Sequence, residues 1–153
     1  MRRAATSRSQ APAPGEAQAT YTGDLHAWAR EQAALLRAGR VAEADALNIA
    51  EALDDVAGAQ YDKLESALRV LLTHMLKWDH QPERRGRSWE ATIRTQRKLV
   101  ARVLRKNPSL KASLEEATDE AWDDARSDAS GETNLPLASF PEANPYDTRR
   151  SKS

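Results

Sequence analysis

The sequence predicts an all-α fold, a bundle of about five helices around a central helix near residues 60–79. Three observations carry that prediction. Leu64, Leu68, Leu71, Met75 and Trp78 recur in steps of three and four, the spacing of one helical face; the faces of a strand alternate every second residue instead. Leu72 and Leu76 widen the apolar arc to about half the circumference, so this segment needs neighbours on several sides. Ala, Leu, Glu, Arg and Gln are abundant while Phe occurs once and runs of β-branched residues are absent, a composition that favours helix throughout.

Taken in order, the chain opens on a segment with Arg2, Arg3 and Arg8 but no apolar run of a secretory signal. Pro12, Pro14 and Gly15 oppose an amphipathic helix there, so residues 1–20 read as a disordered tail. A helical bundle domain is expected over 21–131. Its first helix is capped by Thr22 or Asp24, carries Leu25, Trp28, Gln32 and Leu35 on one face, and ends at Gly39. A second helix from about Asp45 would turn Ala46, Ile49, Ala50, Leu53 and Val56 inward and break at Gly58 before the central helix starts near Gln60.

Pro82 and Gly86 stop the central helix. Ser88 is the expected N-cap of a fourth, running to about Asn107 with Trp89, Ile93, Val100 and Val103 on its apolar side. Gln96 lies on that side and needs a partner, Gln32 or His74 being the expected ones. Pro108 ends this helix. A fifth runs from Leu110 to about Ser130, with Leu114, Ala117, Ala121 and Ala125 inward, Trp122 at the margin and Gly131 as terminator. Residues 132–153 read as an extended C-terminal arm that packs Leu135, Phe140 and Tyr146 onto the bundle, its last residues disordered.

At 153 residues, 40% hydrophobic and 30% charged, the chain has material for one domain of ordinary size. The absence of cysteine excludes disulfides, zinc-thiolate sites and thiol nucleophiles, and fits a reducing cytoplasm. No apolar run approaches the length of a membrane span, so no membrane partner is expected. Zero net charge gives the whole chain no bias toward nucleic acid.

Local charge is uneven. Residues 83–106 carry nine Lys or Arg against two acids, and residues 109–132 carry eight acids against two bases. Packed as an antiparallel hairpin, the two helices would set these charges along their seam. If the bases were instead free, Arg84, Arg85, Arg87, Arg94, Lys98, Arg102 and Arg105 could form a nucleic-acid-binding surface for phosphates, with Trp89 as a stacking platform. The candidates for catalysis are His74 as acid or base with Glu51, and Lys77 one turn from His74. No glycine-rich phosphate loop, nucleophile elbow or metal-ligand spacing accompanies them, and neither cofactor nor metal is expected.

One resemblance runs nearly the length of the chain outside the tails, from residue 21 to about 146. YTGDLHAWAREQAALLRAG, LNIAEAL, LRVLLTHMLKW, QPERRGRSWEATIRTQR, NPSL, ETNLP and FPEANPY, in this order and spacing, resemble the domain of unknown function family 29, a set of small, mainly bacterial, helical proteins. The resemblance implies a helical bundle and no established activity. It includes Trp28, Glu51, His74, Lys77, Trp78, Pro82, Ser88, Trp89, Gln96 and Arg97; the chain departs from it at Ala52, where the family often has a second acid, and at Asn144, where it often has Cys. The leading expectation is a small cytoplasmic module acting through protein contacts, with itself or with a partner, ahead of nucleic-acid binding and of an enzyme built on His74.

Overall fold

A computed structural model describes residues 10–13, 16 and 18–146. Among these the regular structure is entirely helical, with four α-helices and four short 3₁₀ turns. The chain divides into two compact units, Met1–Val56 and Ala57–Ser153. The disorder expected of residues 1–9, 14, 15, 17 and 147–153 concerns residues outside the described part.

The first unit is built on α1 (Leu25–Arg37). Asp24 caps it, its side chain accepting from the Ala27 N–H at 3.0 Å, which satisfies a donor that the first turn leaves open. Gly39 closes it at φ 74°, in the left-handed region where glycine meets no Cβ penalty. The N–H of Arg40 returns to Leu35 O at 2.9 Å and that of Gly39 to Leu36 O at 3.1 Å, the paired bonds of a Schellman ending. Trp28, Gln32, Ala34 and Leu35 are its buried face.

The main departure from expectation is α2, a single 35-residue helix over Ala46–His80. It replaces the two helices and the Gly58 break read from the sequence, and accounts for four α-helices in place of five. Gly58 is exposed with nothing within 4 Å of where a Cβ would stand. An isolated solvated glycine costs a helix only about 1 kcal/mol, too little to stop one whose next turns are held by tertiary packing. The face expected to be inward before Gly58 is largely open as well: Ala46, Ala50, Leu53 and Val56 are exposed and Ile49 is half-buried.

In the second unit the leucines of the expected stripe are buried, while Met75 and Trp78 at its end are half-buried. Leu64, Leu68, Leu72 and Leu76 of α2 are fully buried against Val100 and Val103 of α3 (Arg87–Lys106) and an alanine stripe of α4 (Leu114–Thr133). Ala117, Ala121, Ala125 and Ala129 are all inaccessible, four small residues at i, i+4 spacing that let α4 approach closely. Trp122 was expected at the margin but is core, 3% exposed, with its indole N–H on the Glu142 carbonyl at 2.8 Å. Phe140 is buried in the same cluster.

The helix ends differ in detail from expectation. Gly86, with extended backbone, precedes α3, so Ser88 stands inside the first turn and its carbonyl accepts from the Thr92 hydroxyl. Residues Pro108–Ser113 form a 3₁₀ turn before α4 begins. That helix runs through Gly131 and ends at Asn134, φ 59°, the residue type that tolerates left-handed backbone best after glycine.

Charge on α4 is matched to α2. Arg69 forks onto Asp128 at 2.6 and 2.9 Å and lies 3.6 Å from Asp124, Lys77 meets Glu132 at 3.4 Å, and the Tyr61 hydroxyl donates to Glu120 at 2.9 Å. The expected seam between the basic and acidic helices is therefore replaced, for these carboxylates, by pairing with the helix at the centre of the unit.

Candidate functional site

Among the described residues a concave region of mixed polar and apolar lining lies in each unit. In the second, a cleft of about 580 Å³ lies between the last turns of α2 and the first half of α3. Met75, Trp78 and Asp79 stand on α2; Glu90, Ile93, Arg94, Arg97 and Lys98 stand on α3 at the i, i+3, i+4, i+7 and i+8 spacing of one helical face; Tyr146 closes one end. Asn144 shapes that end, its side-chain oxygen accepting from the Tyr146 N–H at 2.9 Å. The Tyr146 hydroxyl donates to Asp79. Burial first, then the neighbouring Asp79 carboxylate, raises the Tyr146 phenol well above the usual tyrosine range and keeps it a donor at neutral pH.

The cations around the cleft fall into two groups. Arg85 is engaged, its Nε on the Trp78 carbonyl at 2.7 Å and its guanidinium 5.1 Å over the Trp78 ring; Arg94 lies 3.4 Å from Glu90, one turn back. Arg97 and Lys98 are exposed and take part in no ion pair or hydrogen bond among the described residues.

The sequence-derived candidates scatter. His74 is half-buried and its Nδ1 lies 2.9 Å from Val70 O, a bond within α2. Glu51 stands 23 residues earlier on the same helix, exposed, in the first unit; there its charge, behind burial as the larger cause, helps to raise the Tyr21 phenol. Lys77 and Trp89, proposed for different roles, meet: the ammonium sits 4.8 Å from the indole centroid while bonding Glu132, and fastens α2, α3 and α4 together. Arg84 and Arg87 are exposed. Gln96 is half-buried, and its expected partners are engaged elsewhere: the Gln32 side-chain carbonyl accepts from the Asp45 N–H at 2.7 Å, and His74 Nδ1 pairs with Val70 as above.

Sequence reasoning did not single out Asp45. In the first unit it accepts from the Trp28 indole at 3.1 Å and from the Asn48 amide at 2.7 Å. The Asn48 bond first and the Trp28 bond with it hold its carboxyl below the usual range, against burial. With Tyr21 edge-on to Trp28 at 4.8 Å, these residues border a hollow of about 380 Å³. The signal available was an acid immediately before a helix, which a capping role explains equally well. Among the described residues, no group of three His, Cys, Asp or Glu side chains could hold a metal ion, and no helix is long and apolar enough to cross a membrane.

The family model of the domain of unknown function DUF29 matches residues 20–151. The chain belongs to this family. The DUF29 description assigns no biochemical function, and neither the cleft nor the Asp45 hollow inherits one from it. No curated protein and no solved structure matches the DUF29 chain.

Proposed function

We propose that this DUF29 chain is a protein-interaction module whose docking surface is the apolar face at the start of α2. The observation that supports this reading is the exposure of that face: Leu53 is 62% and Val56 59% accessible, with Ala46 and Ala50 open beside them. Large apolar side chains aligned in water on one helical face are a feature of interaction surfaces, while isolated ones are ordinary. The alanines leave room for a partner helix to lie close.

Charge selects the occupant. Residues 46–60 carry Glu51, Asp54 and Asp55 and no Lys or Arg, and these acids stand around the helix from the apolar face, so its surroundings are negative and favour a basic amphipathic helix over an acidic one. The occupant is therefore a basic helical segment of a partner protein. The setting we infer is a bacterial cytoplasm, in keeping with a chain free of cysteine.

The test is titration of the full chain with a labelled amphipathic Leu/Lys peptide beside a Leu/Glu peptide of the same pattern, with the chain's mass followed by light scattering. Saturable binding of the basic peptide alone, lost in the double substitution Leu53→Ser and Val56→Ser at an unchanged melting temperature, supports the reading. Equal binding by that variant, or a dimer that the same substitutions dissolve, overturns it.

A further inference from the structure

We propose that the cleft of the second unit binds a small aromatic phosphate of mononucleotide size. Four features of the cleft converge on that class, and none depends on the apolar face of the first unit.

The first is size. About 580 Å³ lies within the range of about 300–1,000 Å³ typical of small-molecule sites and holds one nucleotide, not a strand. The second is lining: Trp78 and Tyr146 supply aromatic surface, and Met75 and Ile93 aliphatic surface, a setting for a flat ring. The third is the placing of cations. Arg94, Arg97 and Lys98 line the cleft from consecutive positions of one α3 face, and Arg97 and Lys98 have no carboxylate partner among the described residues. A guanidinium presents parallel donors that match two phosphate oxygens, and the neighbouring ammonium adds a point charge.

The fourth feature is the acids. Asp79 and Glu90 share the lining, leaving it with a single net positive charge, an attraction that one phosphate group more than neutralises and that is too small to hold a run of them. This separates a mononucleotide from a nucleic-acid backbone, whose recognition draws on many unopposed cations. Asp79, fixed by the Tyr146 hydroxyl, keeps an acceptor for an N–H group of a base, the exocyclic amine of adenine or N3–H of uracil.

Calorimetric titration of the full chain with AMP and UMP tests the assignment, with adenosine, ribose 5-phosphate and inorganic phosphate as separate arms. The expected result is saturable binding of at least one nucleotide at a single site, with adenosine and ribose 5-phosphate each weaker by about tenfold or more, as loss of a charge-assisted bond or of a stacked ring implies. Arg97 is exposed, so Arg97→Gln should fold normally and lower that nucleotide's affinity by about tenfold or more, while Arg102→Gln, on the same helix but outside the lining, should leave it unchanged. No saturable heat with either nucleotide, adenosine binding as tightly as AMP, an Arg97→Gln variant of unaltered affinity, or binding of a single-stranded oligonucleotide that AMP does not displace would each overturn the proposal.

Discussion

Leu72 is wholly inaccessible at the middle of the second unit's core, and its side chain is surrounded by atoms that cannot follow it if it is shortened. Leu72→Ala should therefore lower stability by about 2–5 kcal/mol, read as a shift in the denaturation midpoint at constant slope. Tyr61 gives a residue-scale prediction in pH. Burial, and then the bond to Glu120, push its phenol up to about 12. Since the folded form holds its proton where the unfolded chain has already lost it, this contribution to stability is intact below the unfolded value near 10 and is lost as pH rises from there through about 12. Ultraviolet difference titration should show late ionisation, and Glu120→Gln should bring it closer to the ordinary value. The apolar half of this core was legible because leucine spacing reports a helical face directly. The role of Trp122 was not: its partner is a main-chain oxygen twenty residues away, and no side-chain pattern encodes a carbonyl.

At the scale of the helix, Gly58 shows where local reading fails. A glycine flanked by alanines reads as a break because its own propensity is poor, but continuation is decided by the packed turns after it. If that is the reason, Gly58→Ala should stabilise the chain by about 0.5–1 kcal/mol, having open space for the methyl group; loss of stability on thermal melting would contradict a relaxed, solvated helix at this point. Asn134 makes the converse case. Its positive φ penalises a Cβ that cannot bond locally, so Asn134→Ala should destabilise by about 1 kcal/mol and Asn134→Gly should not. The true ends of α1 were readable from Asp24 and Gly39, which act through their own atoms. The candidate cleft was only half readable: Arg94, Arg97 and Lys98 follow from helical spacing, whereas Tyr146 reaches it from a segment whose path no periodicity describes.

Over the whole molecule, burial is unequal. The large inaccessible cluster belongs to the second unit, while the first is held by Trp28, Leu35 and the bonds converging on Asp45. Amide exchange should follow this division, slowest over residues 64–76 of α2 and in the alanine stripe of α4, faster by orders of magnitude in α1 and residues 46–56. Protection as strong in the first unit as in the second would show that the division has no energetic counterpart. Salt should matter little to the Arg69–Asp128 pair of the second unit, since both side chains are more than one-third accessible and such pairs contribute about 0–1 kcal/mol.

The segment after α4 is held largely through its main chain: Trp122 bonds the Glu142 carbonyl, Arg126 those of Phe140 and Leu137, and Ser130 that of Leu135. A carbonyl is the same whatever residue bears it. Random mutagenesis should consequently find positions 137–142 permissive except at Phe140, while Trp122 and Arg126 opposite them tolerate far less exchange, so sequence variation would concentrate on one side of a contact that both sides need.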